Sequence, residues 1–245
     1  MWNTRLFNER CFQLILRAKF NKKNYLRYLG HLDLLRLFQR SFKRADIPVK
    51  YSKGFNPHPR FSIACPLPLG IEGEEEYMDI ELEEKIENEE FIIRMNAILP
   101  KDIQILDSTY PEDKKSISSK LSWALYEIRF DINESLDFED INTVIADWLK
   151  KDEIMISRLR KKGKKKLMRE ENIRPLIDRI DLMAKIDDEV TLEAVLGVGE
   201  NTNLRPIDFV KALNDIEELS MDIDSSTIIR KALYIEDRDG LVKPI

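Results

Sequence analysis

The sequence is poor in several residue types, and each shortage argues against a class of protein. Its 245 residues include only 8 glycines and 10 prolines, too few for a collagen-like or linker-dominated chain. It has no run of about 18 apolar residues, so we expect no transmembrane helix, and its polar start argues against secretion. The two cysteines, Cys11 and Cys65, form no metal-spaced motif and favour a reducing cytoplasm. We expect neither a bound metal nor a cofactor.

Charge is unevenly distributed along the chain, although the net charge is only −5. Residues 1–60 contain 14 Lys and Arg against 3 Asp and Glu, whereas residues 61–113 contain 3 against 15. The rest of the chain is mildly acidic, with 23 against 27. Because salt screens each patch over about 8–10 Å, a local basic face can coexist with an acidic chain. A polyanion would therefore bind to a local surface and not to the whole protein.

The first half of the chain predicts a β-α-β-β-α-β order, which is that of a ferredoxin-like unit spanning residues 1–112. Period-two alternation indicates strands and helical spacing indicates amphipathic helices. The predicted strands are 11–20, 61–66, 77–82 and 103–106, and the helices are 31–47, which ends at Pro48, and 88–99, which Asn88 caps. The acidic block Glu72–Glu76 lacks metal-loop spacing and predicts a solvated turn.

The second half repeats this order after a polar linker at residues 113–121. It predicts a second ferredoxin-like unit over residues 122–245, with a basic hairpin inserted at 158–169. The predicted strands are 123–132, 154–159, 179–186, 190–196 and 228–235, and the helices are 138–149 and one that begins at Pro206. The predicted fold class is therefore α+β, with two tandem ferredoxin-like units.

An ordered series of short motifs in the first half resembles a known bacterial family. The motifs are His31-Leu32-Asp33, Arg36, Tyr51-Ser52, Gly54-Phe55-Asn56-Pro57-His58-Pro59-Arg60, Pro66-Leu67-Pro68-Leu69-Gly70 and Glu76-Tyr77. A looser match continues through Arg158, Lys162-Gly163, Ile173-Arg174-Pro175 and Leu204-Arg205-Pro206. Together they resemble the radical-SAM-associated domain family of unknown function. In that family an acidic residue often stands where this chain has Asn172.

The resemblance implies a radical-SAM protein as a partner, encoded as a fusion or as a neighbour. The chain itself is not expected to be the radical-SAM enzyme. An iron–sulfur cluster of that kind needs three closely spaced cysteine thiolates, and this sequence has two cysteines that are 54 residues apart.

The proline-rich loop, residues 51–60, is the first candidate binding element. Its prolines restrict the backbone and Gly54 permits a sharp turn, so its side chains would be displayed on a stiff scaffold. Aromatic and arginine side chains can stack on a base or hold a phosphate. The alternative is a structural loop with Phe55 in the core and Arg60 paired to the acidic block. The candidate ligand-binding residues are Tyr51, Lys53, Phe55, Asn56, His58 and Arg60.

The basic hairpin, residues 158–169, is the second candidate, with eight Lys and Arg in twelve residues and no acid. Such a ribbon can lie along a phosphate backbone, although lysines also protect exposed strand edges from aggregation. A stripe of cations on the first helix would extend this basic surface for nucleic acid. The alternative is that the stripe is ordinary solvated charge. The candidate nucleic-acid-binding residues are Arg36, Arg40, Arg158, Arg160, Lys161, Lys162, Lys164, Lys165, Lys166, Arg169 and Arg174.

Catalysis has weaker support, because no nucleophile, metal or phosphate-loop motif is present. His31, Asp33 and His58 are the only candidates for acid–base chemistry. His31 and Asp33 are alternatively a cap and a favourable charge at a helix N-terminus. We predict a non-catalytic companion of a radical-SAM enzyme that binds RNA or an RNA–protein particle. The alternatives are an enzyme that processes or modifies RNA, and a protein-docking subunit that binds no RNA.

Overall fold

The computed structural model describes residues 14–113, 115–132, 136–162, 165–199, 202–238 and 240–245, and the side chains of 159–166 and 202 lie outside this description. The described residues form four α-helices and twelve strands. Their order is β1 Leu14–Lys22, α1 His31–Arg44, β2 Phe61–Ile63, β3 Glu72–Leu82, α2 Asn88–Asn96, β4 Ile105–Thr109, β5 Leu121–Ile132, α3 Phe138–Leu149, β6 Met155–Lys162, β7 Lys165–Asn172, β8 Ile177–Ile186, β9 Glu189–Gly199, β10 Thr202–Asn203, α4 Pro206–Asn214, β11 Met221–Asp237 and β12 Gly240–Val242.

Ten of these strands form one large sheet, which is antiparallel except at one junction. Its main path is β10-β9-β5-β11-β3-β1-β4, and β8, β2 and β12 pair with β9, β3 and β11. The exception is β11 with β3, which pair in parallel through Ile229 opposite Glu72 and Arg230 opposite Gly73. Strands β6 and β7 form a separate two-stranded ribbon. The predicted α+β class is confirmed.

The two halves of the sheet have corresponding strand orders. In the first half the neighbours are β4, β1, β3 and β2, and every pair is antiparallel. In the second half they are β11, β5, β9 and β8, again antiparallel throughout. One helix follows the first strand of each half and another follows the third. The β6–β7 ribbon is inserted between α3 and β8.

Each half packs its helices on its part of the sheet through an apolar stripe. In α1 the buried positions include Leu34, Phe38 and Phe42, which follow the helical period. The Phe38 ring packs edge-on against Phe20 of β1 at 5.1 Å between centroids. This contact holds α1 over the first half and leaves its cationic side exposed.

Two local predictions were wrong in detail. Helix α1 ends at Arg44 and not at Pro48, since Asp46 has a positive φ of 51° that takes the chain out of the helix. The N-cap of α2 is Glu87, and Asn88 is its first helical residue. The polar connection between β4 and β5 is packed: Ile117 is buried, and its N–H donates to Asp79 Oδ2 at 2.8 Å.

No helix in the described ranges is long and apolar enough to cross a membrane.

Candidate nucleic-acid interface

The proline-rich loop, residues 51–60, forms a small hydrogen-bonded hairpin beyond the end of β3. The Arg60 N–H donates to the Lys50 carbonyl at 2.8 Å, and the Ser52 N–H donates to the His58 carbonyl at 2.8 Å. The His58 N–H donates to Ser52 Oγ at 3.0 Å. These bonds fix the base of the loop, so its tip is presented from an ordered support.

The tip of the loop is open to solvent. Phe55 has a relative exposure of 112%, and the preceding Gly54 has a φ of 147° with open space around its Cα. The alternative that placed Phe55 in the core was therefore wrong. Arg60 pairs with Glu81 of β3 at 3.0 Å and not with the acidic block. The other exposed candidates are Tyr51, Lys53, Asn56 and His58.

The cationic stripe of α1 leads along the helix toward the loop. Arg36, Arg40, Lys43 and Arg44 are all exposed. Arg36 pairs with Asp33 at 2.8 Å, and Arg40 donates to the Arg36 carbonyl at 3.2 Å. An exposed pair of this kind contributes only about 0–1 kcal/mol. A phosphate could therefore compete for Arg36 at small cost.

The basic hairpin aligns its cations in register across two strands. Lys161 stands opposite Lys166, Lys162 opposite Lys165 and Arg158 opposite Arg169. Arg169 is exposed, and so are its neighbours Leu167 and Met168. Arg160 stands opposite Leu167 in the ribbon, and Lys164 lies outside the described residues.

Arg158 anchors the base of the basic hairpin to the body of the protein. Its Nε donates to Asp208 Oδ2 in the first turn of α4, and its Nη1 donates to Glu171 Oε2, both at 2.9 Å. Asp208 also accepts from Arg205 Nε at 2.7 Å. The Arg158 side chain is mostly buried, at 11% exposure. Its guanidinium therefore positions the hairpin and is not displayed to a ligand.

Arg174 has a similar internal position. Its Nε donates to the Leu149 carbonyl at the end of α3, and its Nη1 donates to the Ile177 carbonyl. The neighbouring Asn172 Oδ1 accepts from the N–H groups of Ile154 and Arg174, each at 3.0 Å. A carboxylate at position 172 could accept the same two bonds, so the amide preserves this contact. Both arginines hold the ends of the hairpin in place.

The candidate catalytic residues do not form one site, because His58 lies apart from His31 and Asp33. His31 is the first residue of α1 and lines a small cavity with Lys22 and Glu76. The N-cap is Gly30, and no side chain caps the helix, so a capping role for His31 or Asp33 was wrong, while Asp33 does carry charge in the first turn. His58 follows the other end of this 14-residue helix, about 21 Å long. The described residues contain no cluster of His, Cys, Asp or Glu that could hold a metal ion.

A buried charged centre, which no sequence motif predicted, joins the two halves. Arg230 of β11 is 1% exposed and contacts Glu76 of β3 with two hydrogen bonds, one at 2.8 Å from Nε. Its guanidinium also donates to the carbonyl and sulfur of Cys65. Burial raises the pKa of Glu76, and Arg230 opposes that effect. The acidic block is thus the start of strand β3, and its prediction as a solvated turn was wrong.

Lys22 lies beside this centre and is buried as well. Its Nζ donates to the Leu29 carbonyl at 3.0 Å. Burial lowers the pKa of Lys22, while the charge of Glu76 raises it. The sequence signal for this centre was the strand-like alternation of Glu74, Glu76 and Met78. The run of acidic residues instead favoured a solvated turn.

Comparisons with known proteins place the chain among uncharacterised bacterial proteins. Residues 16–206 match the model of a family described as an uncharacterized protein conserved in bacteria, DUF2344. No curated protein matches. The fold is similar to a chain in the crystal structure of a Cbf5-Nop10-Gar1 complex, with a TM-score of 0.47 and 10% sequence identity. The match covers 90% of this chain and 50% of that one, so this chain spans about half its length.

Proposed function

We propose that this protein, which belongs to the uncharacterized bacterial family DUF2344, is a binding module that holds RNA for a radical-SAM protein. The observation that carries the proposal is the basic hairpin. It carries eight Lys and Arg and no acid in residues 158–169, which is more positive charge than the protection of an exposed strand edge needs, and a phosphate backbone laid along the ribbon would neutralise that charge. The ribbon is held firmly at its base by Arg158 and Asp208.

Two further features support an RNA ligand. The proline-rich loop displays Phe55 without a protein contact on an ordered support, as expected of a group that stacks on bases. The exposed cations of α1, the helix that precedes this loop in the chain, add phosphate-binding charge. We also infer that the two halves are tandem ferredoxin-like units, because each has the corresponding strand order.

The radical-SAM association rests on the motifs in the first half of the chain. Those that the structure places at the surface include His31, Asp33 and the tip of the proline-rich loop, where a partner could contact them. The test is purification of the native protein from its own cells, with bound proteins and RNA identified. Recovery of a radical-SAM protein together with RNA is expected. A radical-SAM protein without RNA would instead favour a docking subunit.

RNA binding is tested by its dependence on salt. A single strand loses affinity with a slope of about 0.7 in log K per log salt for each neutralised phosphate. Changing Lys161, Lys162 and Lys166 to glutamine should therefore reduce the slope by about 2. The control changes three lysines outside the hairpin, Lys23, Lys101 and Lys185, to glutamine and should keep the slope. Equal slopes for the hairpin variant and the unchanged protein would refute the proposal.

A further inference from the structure

The proline-rich loop and the basic hairpin occupy equivalent places in the two halves. Each is the connection that follows the first helix of its half, α1 in one and α3 in the other. In the first half this connection leads to β2, and in the second half it leads to β8. The correspondence of the strand orders therefore brings the two binding elements into comparable positions on the sheet.

Both elements lie toward the same end of the large sheet. Strand β3 is parallel to β11, β11 is antiparallel to β5, and β5 is antiparallel to β9. Hence β3 and β9 run in the same direction and end at the same edge. The loop extends past the end of β3, because Phe61 pairs with Ile80 and the Arg60 carbonyl accepts from the Glu81 N–H.

The basic hairpin is tied to the corresponding end of β9. Arg158 Nη1 donates to the Asn203 carbonyl at 3.4 Å, and Asn203 belongs to β10, which pairs with Val198 and Gly199 at the end of β9. Three strand intervals separate β3 from β9 in the sheet. At about 4.8 Å per interval, β3 and β9 are about 14 Å apart across the sheet. Ile229 and Glu127 connect Glu72 of β3 to Glu193 of β9, so β3 ends about four residues, or about 13 Å, beyond β9 along the strand direction. A segment of about six nucleotides at roughly 3.4 Å each spans this offset.

The chemistry of the two elements is complementary. The basic hairpin offers cations for a phosphate backbone, whereas Phe55 offers a free aromatic face that is suited to an unpaired base. A paired base is stacked inside a duplex and does not present its face to a side chain. We propose that the loop and the hairpin together bind one single-stranded RNA segment, with a base on Phe55 and the backbone on the hairpin. This inference rests on the proposed function.

The test compares a 12-nucleotide single strand with a 12-base-pair RNA duplex by fluorescence anisotropy. Phe55→Ala should weaken single-strand binding about 5- to 150-fold, the range expected for loss of one base–aromatic stack, and should leave duplex binding unchanged. The matched control is Tyr25→Ala. Tyr25 is 87% exposed and follows β1 near the start of β3, where Lys22 pairs with Gly73, whereas the loop lies past the end of β3. This control should bind both RNAs as the unchanged protein does.

The hairpin variant distinguishes failure of this inference from failure of the proposed function. The glutamine variant of Lys161, Lys162 and Lys166 should weaken binding to both the single strand and the duplex. If it does so while Phe55→Ala matches Tyr25→Ala, the shared single-strand site is refuted and RNA binding by the hairpin stands. If Phe55→Ala weakens both RNAs equally, single-strand selectivity is refuted. If the unchanged protein binds neither RNA, the proposed function itself is refuted.

Discussion

Replacing Arg230 by methionine is the most direct test of how the two halves of this protein are joined. Arg230 lies on β11 and Glu76 on β3, 154 residues away, and both side chains are at most 2% exposed. Methionine removes the guanidinium but preserves much of its length. The Glu76 carboxylate would then remain buried without its main partner.

The expected loss follows from the burial of that carboxylate. Removing one partner of a buried ion pair destabilises a protein by about 3–5 kcal/mol. In a protein of this size each kcal/mol shifts the melting temperature by about 2–4 °C, so Arg230→Met should lower it by about 6–20 °C. A total stability of about 5–15 kcal/mol makes this a large fraction of the whole.

Thermal unfolding followed by circular dichroism measures this loss. The matched control is Arg129→Met on the adjacent strand β5, because the Arg129 side chain is 46% exposed and its partner Glu127 also pairs with Lys231. A pair of that kind contributes about 0–1 kcal/mol. The double variant Glu76→Gln with Arg230→Met removes the unpaired carboxylate and should be more stable than Arg230→Met alone. A shift below about 2 °C for Arg230→Met, or a double variant less stable than the single one, would refute the reasoning.

Three further predictions concern single sites. Phe55→Ala should change the free energy of unfolding in urea by less than about 0.5 kcal/mol, whereas the fully buried Phe38→Ala should cost about 3–5 kcal/mol; similar losses would contradict the assigned exposures. Burial lowers the pKa of Lys22 below 10.5, so between the lowered pKa and pH 10.5 the folded protein binds fewer protons than the unfolded chain. Its melting temperature should therefore rise relative to that of Lys22→Met as the pH increases through this window. A constant difference would disprove this. Asp208→Ala should lower the free energy of unfolding by about 1.5–3 kcal/mol, because it removes charged hydrogen bonds. It should also speed tryptic cleavage of the basic hairpin, and an unchanged cleavage rate would argue against anchoring by Asp208.

Elements with a strong local pattern were predicted well from the sequence. The helical spacing of Leu34, Phe38 and Phe42 identified α1 to within a turn at its end. Pro206 correctly marked the start of α4, because proline at a first helical position gives up no hydrogen bond. The predicted α3 range, 138–149, agrees with the structure. In each case the residues that decide the element are close together in the chain.

The candidate interface was predicted in part. The proline-rich loop and the basic hairpin stand out by composition, so the sequence identifies them as elements. It does not separate the displayed cations from the anchoring ones. Arg158 and Arg174 have the same charge as Arg169, but their partners, Asp208 and the Leu149 carbonyl among them, come from other elements. Only the packing of β6 and β7 beside α4 and α3 decides which guanidinium groups form internal hydrogen bonds and which stay exposed.

The sequence by itself therefore determined the α+β class, most of the elements and the two segments richest in binding chemistry, because these depend on periodicity, turn residues and local charge. Tertiary structure alone decided the burial of Glu76, since its compensating charge, Arg230, comes from a distant strand. It also decided that the loop and the hairpin lie toward one end of the sheet. That arrangement follows from the parallel pairing of β3 with β11, a contact between strands about 150 residues apart that no local pattern encodes.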